Sequence, residues 1–288
     1  MFNHRQENNV SDSDAIKSLP HNRKEVFFDL LAHRKMTLFA LSCFVFMFFI
    51  PLAVDLFYFN ALESAVYANP DHDMRELFSL FFYSMLIMLP CMLIGFLGLA
   101  GGFYVAKRLV WQEDVSLAVD FFHGIKDNWK HAILNGFVFG LFLFGLSVGT
   151  AFLLTYSPST PILSGIGIGA LLTMFLTFGM VISLNFAQDV YYENGVFATY
   201  KNSFCFLGLL NWRVLVLFLL TTGGVIALSI FNMLTLGIGL FLFAITNGVI
   251  IVLYTLMSHS AFDKYINKEH YPEMVGKGLY KKEEDKEA

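Results

Sequence analysis

Six stretches of this chain are too long and too apolar for any solvent but lipid. Met36 to Phe59, Leu77 to Ala106, Ala132 to Tyr156, Ile162 to Gln188, Val214 to Met233 and Leu236 to His259 are predominantly apolar throughout. Each holds about 20 residues or more, the length needed to cross a hydrocarbon core roughly 30 Å thick. Inside that core every backbone N–H and C=O must find a partner within its own segment, so such runs are helices, and the alternating pattern of barrel strands is absent. The expected fold is an all-α integral membrane protein with six transmembrane helices. Composition agrees, with 56% hydrophobic and only 15% charged residues. Asn232, Thr235 and Gly237 predict a tight turn between the last two spans.

Lys and Arg are retained on the cytoplasmic side of short loops, so their distribution orients the chain. Eighteen of the 19 fall in the two tails and the second and fourth connections, and Arg75 alone lies on the opposite side. Both termini are therefore expected in the cytoplasm of a multi-pass plasma-membrane protein. The first span reads as an uncleaved signal anchor, because a polar tail of about 35 residues precedes it. Residues 1–22 and 264–288 read as solvated tails around a single membrane domain over 23–263, since their composition buries too little apolar area to fold alone. Cys43, Cys91 and Cys205 sit on no metal spacing and read as packing residues. The basic residues beside the membrane favour anionic head groups as the lipid partner.

Within the spans the same short pattern recurs. Asn128-Trp129-Lys130 stands at the entrance of the third span and Asn211-Trp212-Arg213 at that of the fifth. Gly167-Ile168-Gly169 opens the fourth and Gly237-Ile238-Gly239 the sixth, and the form A-x-D-x-Y closes both, at Ala187–Tyr191 and Ala261–Tyr265. Three matches in one order suggest a duplicated hairpin, with the first two spans as a third copy. Each hairpin is expected to follow an amphipathic helix lying on the cytoplasmic membrane surface. The clearest has Val115, Ala118, Val119, Phe122, Ile125 and Trp129 on one face. Trp111, Trp129 with Lys130, and Trp212 with Arg213 are the candidate interfacial anchors.

Small residues and prolines shape the expected packing. Gly98 and Gly102, Gly136 and Gly140, Gly145 and Gly149, and Gly165 and Gly169 are each spaced for close helix approach. Pro51 and Pro90 should kink the first two spans.

Chemistry is sparse. Asp55 is the one carboxylate inside a predicted span, near its outer end, and Asn247 with Thr221 and Thr222 supplies mid-span polarity. An enzyme or ion-coupled carrier keeps ionisable groups at membrane depth, and this interior is nearly bare of them. A richer polar zone lies at the cytoplasmic helix ends: Asn185, Gln188, Asp189, Glu193, His259 and Asp263. On a helix Asp189 and Glu193 share a face, as do His259 and Asp263, which makes a carboxylate and imidazole cluster geometrically possible. These residues equally suit helix ends at the water boundary, so no catalytic residue, metal or cofactor is expected. Asp71-His72-Asp73 with Glu63 and Glu76 forms an acidic rim outside. No phosphate-binding, hydrolase or dinucleotide motif occurs, and no basic-aromatic array suits nucleic acid.

The stretch GGFYVAKRLVWQEDVSLAVDFFHGIKDNWKHAILNGFVFGL, Gly101 to Leu141, resembles the signature of the YesL-like family of bacterial integral membrane proteins. A span exits into a basic segment, then come Glu113-Asp114, a Phe-rich helix with Phe121-Phe122, and Asn128-Trp129-Lys130 before the next span. The resemblance implies a bacterial membrane protein associated with carbohydrate uptake, of unsettled activity. The function expected is thus that of a non-enzymatic accessory or regulatory protein, partnered by a transporter subunit or another membrane protein. A small carrier or channel for a neutral solute is the alternative, and an interface enzyme acting on lipid head groups is a third reading.

Overall fold

The computed structural model of the protein describes residues 20–68, 74–156, 160–224 and 233–280. Among these residues the chain is helical, with no strand. The helices are α1 (Arg23–His33), α2 (Lys35–Tyr67), α3 (Met74–Val110), α4 (Leu117–Tyr156), α5 (Pro161–Asp189), α6 (Val196–Phe218) and α7 (Met233–Phe262). Five are long and apolar enough to cross a membrane, and the two bent halves, Val196–Leu210 and Trp212–Thr221, make a sixth if they are taken together as one span. Successive helices pack side by side, and α7 closes the bundle against α2 and α3. The N–H of Tyr280 donates to the carbonyl of Pro20 at 2.9 Å, so both described ends meet on one side, here called the tail face.

Local chemistry sets the helix limits. Asn22 starts α1 by accepting from the N–H groups of Lys24 and Glu25, each at 3.0 Å. Pro161 stands at the first turn of α5, where its missing N–H costs nothing. Pro51 and Pro90, expected to kink their spans, lie inside the continuous helices α2 and α3. The expected turn near Asn232 is not at Thr235 and Gly237, because α7 already begins at Met233; Asn232 itself lies outside the described residues.

The membrane-surface helices come out unequally. α6 turns by 102° at Asn211, so Val196–Leu210 runs across the direction of Trp212–Thr221, as an interfacial helix feeding a span would. The stretch around Phe122 differs: residues from Leu117 onward are the first turns of α4 and run without a break into the span. Gly124 explains this, since the Tyr104 side chain occupies the space its Cβ would need, and Phe121 is sealed against Gly101, Phe44 and Phe48. Val119, Phe122 and Trp129, the face expected to meet the membrane, are the exposed side of this packed helix.

Five of the eight spaced glycines are close-contact points: Gly98 against Phe48, Gly102 against Val45 and Ile251, Gly136 against Phe96, Gly140 against Leu89 and Gly149 against Leu171. Gly145, Gly165 and Gly169 face open space, so for them the expectation of tight packing is wrong. Spacing shows that a smooth face exists on a helix, and it does not show whether a neighbour uses it.

Residues 264–280, assigned from composition to a solvated tail, are folded onto the tail face. A π-turn over Asp263–Asn267, one turn of α-helix and a 3-10 turn at Pro272–Met274 lead to a strap. Lys277 Nζ lies 3.5 Å over the Trp111 ring and 3.0 Å from Glu113, and Arg23 donates to the Lys277 carbonyl at 2.8 Å.

Candidate functional site

Two places in the bundle gather polar atoms. At the tail end of α4 and α5, His131 and Asn135 face Asn185 and Asp189, each pair one helical turn apart and in the same antiparallel register. His131 Nδ1 lies 2.6 Å from an Asp189 carboxylate oxygen, and Asn135 donates to the other at 3.4 Å. Asn185 donates to Asn135 at 3.0 Å and the Tyr200 hydroxyl donates to the same oxygen at 2.8 Å. Gln188, fully buried, donates to the Ser203 hydroxyl at 2.5 Å. Glu193 stands apart and exposed. Its expected pairing with Asp189 fails because α5 ends at Asp189, and four residues on the chain no longer completes a helical turn.

Across the same face, His259 is fully enclosed. Its Nε2 accepts from the Trp111 indole N–H at 3.2 Å, and its Nδ1 lies 3.4 Å from Asp263. Asp263 is taken by Arg23 at 2.8 Å and by Asn267 at 2.9 Å. Trp111 is therefore no lipid anchor: Lys107 and Lys277 both lie over its ring, at 4.8 and 3.5 Å. Trp129 and Trp212 remain exposed, each with its neighbouring cation stacked on it, Lys130 at 5.7 Å and Arg213 at 5.8 Å. Charge balance shows at Glu113 too. Burial opposes its ionisation, but hydrogen bonds from Lys277 and Arg108 outweigh that and hold its carboxyl below the ordinary value. Burial raises the Tyr191 and Tyr192 phenols, so both stay protonated.

These contacts tie the tail-face helix ends together, although Asn185 Oδ1, Gln188 Oε1, His259 Nδ1 and the Tyr191 hydroxyl make no hydrogen bond within the chain. Among the described residues no three His, Cys, Asp or Glu side chains converge as metal ligands would. The space left by the tail-face cluster is a crevice bounded by His131, Asn135, Asp189 and Tyr200 that lacks room for a water molecule. The arrangement ties helix ends together and leaves no vacant position for a substrate.

The second place is a cavity of about 700 Å³ in the middle and far half of the bundle. All of α2 to α7 contribute to its wall, together with Thr221 in the π-turn Leu219–Gly223 that continues α6. Phe49, Met85, Met88, Met92, Leu143, Leu146 and Phe243 are typical of it. An aromatic floor separates it from the tail face: Phe103 stacks on Phe186 at 5.5 Å, and Phe139 and Phe175 lie 6.4 and 5.8 Å from Phe218. Gly179 admits that floor, for the Phe218 ring occupies the place of a Cβ there. Glu63 is the cavity's one charged residue, and with Asn60 it marks the far-face mouth.

Asn247 lines this cavity, 4% exposed, and its side-chain nitrogen has no partner in the chain. The Tyr254 hydroxyl and the Thr150 hydroxyl, also in the wall, are equally unpartnered. A buried polar group without a partner costs roughly 1–3 kcal/mol, so such atoms facing a void call for an occupant. Asp55 is buried nearby with one free carboxylate oxygen, beside Ser84 and outside the cavity wall. The acidic rim at Asp71-His72-Asp73 lies outside the described residues.

Of the residues singled out from sequence, Asn185 and Asp189 join one network through Asn135, Gln188 bonds separately to Ser203, His259 and Asp263 form a second cluster, and Asn247 belongs to the cavity. His131, Asn135 and Tyr200 were missed. A signal for the first two was present, because polar residues one turn apart on neighbouring antiparallel spans face each other at equal depth. Comparison of the chain with family models, with curated proteins and with solved structures gives no match.

Proposed function

We propose that the protein is a non-enzymatic membrane protein that binds or carries an uncharged, largely apolar molecule in the cavity between its helices. One observation carries the reading: α2 to α7 line a partly open volume of about 700 Å³ that offers apolar side chains and neutral polar atoms, with Glu63 at the mouth the one charged side chain among the described lining residues. That volume falls in the range of small-molecule sites, which are apolar with a few placed polar groups. Native mass spectrometry of the protein released from phospholipid nanodiscs tests it. A species heavier than the bare chain by one neutral molecule is expected, and the bare chain alone at every collision energy counts against the reading.

The accessory role in carbohydrate uptake is a second reading. It rests on the YesL-like resemblance, and the exposed apolar row Val119, Phe122 and Trp129 on α4 supplies a surface for a membrane partner. The apolar wall is a poor match for a sugar's hydroxyls, so the two roles would use different parts of the molecule. Co-purification in mild detergent that recovers no transporter subunit would remove this second reading.

We further propose that the tail face is cytoplasmic in a bacterial plasma membrane, because the excess of Lys and Arg lies there. The matched Trp129–Lys130 and Trp212–Arg213 stacks support a duplicated hairpin.

A further inference from the structure

Three of the cavity's neutral polar side chains meet at one end. Tyr254 on α7, Ser183 on α5 and Thr221 in the π-turn after α6 come together at the tail-side end, just above the aromatic floor. Asn247 lies two turns of α7 nearer the far face. A π-turn is an uncommon backbone form that concentrates at functional sites, and here it carries Thr221 into the cavity wall.

The donors and acceptors can be counted. The Ser183 hydroxyl donates to the Gly179 carbonyl at 2.9 Å, and the Thr221 hydroxyl is directed at the Leu217 and Phe218 carbonyls at 2.9 and 3.2 Å. Both therefore present lone pairs to the cavity. Asn247 holds a free N–H₂, and the Tyr254 hydroxyl, beside those of Ser183 and Thr221, makes no hydrogen bond of ordinary geometry; each residue is no more than 5% exposed. The patch thus donates and accepts, and it carries no charge. Beyond it the walls are mainly Met, Leu and Phe, with Ser147 and Thr150 on α4 as neutral polar exceptions, up to the mouth at Asn60 and Glu63. From Tyr254 to Leu240, the last cavity residue of α7 towards the far face, the helix rises about 21 Å, room for an extended hydrocarbon chain.

Resting on the binding reading above, we infer that the ligand is a neutral single-chain amphipath, its hydroxyl or ester head held by Tyr254, Ser183 and Thr221 and its tail directed to the far-face mouth, with Asn247 a further polar contact about 10 Å along α7. A phosphate held at the polar patch is excluded by chemistry: among the described lining residues it would meet no cation, and an unpaired charge there is expensive. The same head chemistry occurs in a lipid of the bilayer and in a free long-chain alcohol, and the experiment separates them.

The test uses the full chain in phosphatidylcholine nanodiscs with two photoreactive probes, a diazirine-bearing hexadecanol and the matching diazirine hexadecane, with labelled peptides mapped by mass spectrometry. The alcohol is expected to label cavity peptides of α5 and α7 more strongly than the hydrocarbon does. Tyr254→Phe combined with Asn247→Leu, and separately Thr221→Val, should cut alcohol labelling about five- to tenfold, as the loss of one or two hydrogen bonds implies. Hydrocarbon labelling should persist in both variants and report that the cavity still folds. Equal labelling by both probes with no effect of the variants overturns the head-group assignment and leaves the binding reading intact. Failure of both probes to label the cavity in the wild type overturns both. Protein taken directly from its host membrane should carry a neutral single-chain mass if the bilayer supplies the ligand; a chain that is empty there and fills when the alcohol is added identifies a free molecule as the source.

Discussion

Single atoms decide how closely these helices approach. At Gly248 an added Cβ would meet the Leu38 carbonyl and the Ser42 side chain, and the Gly248 N–H donates to the Ser42 hydroxyl at 2.7 Å. Ser42 in turn reaches the carbonyls of Leu38 and Ile245 at 3.0 and 3.2 Å. Because the obstacle is largely backbone, Gly248→Ala must push α7 away from α2, and overpacking of this kind costs about 1–3 kcal/mol. A lower thermal unfolding midpoint in detergent is expected for G248A, while the same change at Gly169, which faces open space, should leave the midpoint unchanged. Equal midpoints for the two variants would refute the packing argument. Gly248 escaped the sequence reading because its partner four residues before is Ala244 and only glycine pairs were read. Gly98, Gly102, Gly136, Gly140 and Gly149 were legible by their spacing, whereas contact depends on which neighbour arrives, as Gly145, Gly165 and Gly169 show.

Elements were legible where hydropathy alone decides them, and less so where a neighbour's surface does. Five of the six expected spans are helices over the expected residues and the remaining one, the fifth, is described only to Gly224, but the first turns of α4 were mistaken for a surface helix because their exposed face is the apolar one. The strap over residues 271–280 was invisible, since Lys and Glu in a polar sequence read as solvated until Trp111 and Glu113 are placed beneath them. Gly278 has φ +85°, and a Cβ there would strike the Val110 carbonyl. Gly278→Ala is therefore expected to undock the strap, raising hydrogen exchange of residues 271–280 while α2 to α7 keep their protection. The same readout responds to pH. The Glu113 carboxyl is held below its ordinary value, so its contribution is complete above the unfolded value near 4.3 and disappears as pH falls through the folded value. Strap exchange corrected for intrinsic rate should match at pH 7 and pH 5 and rise only in more acidic buffer. A strap that loosens between pH 7 and pH 5 would show that Glu113 does not hold it.

At the scale of the whole molecule the chain divides into a tail face whose polar groups pack against one another without room for a guest and an interior whose few polar groups face a void. His131 with Asp189 and Arg23 with Asp263 close the first by ion pairing. Asn247, Thr150 and Tyr254 leave the second open. That contrast was half legible: the bare interior and Asn247 could be read from residue types, but the void could not, because a cavity is the difference between helix spacing and side-chain volume and no local pattern encodes it. The most direct measurement of the central claim is capture of the photoreactive hexadecane by the wild type and by Ala151→Phe, a substitution in the cavity wall that fills space without adding charge. Strong labelling of cavity peptides in the wild type and its loss in a variant of unchanged thermal midpoint is the result expected. Equal labelling of the two proteins, or labelling confined to the lipid-facing surface in both, would contradict a cavity that holds an apolar guest.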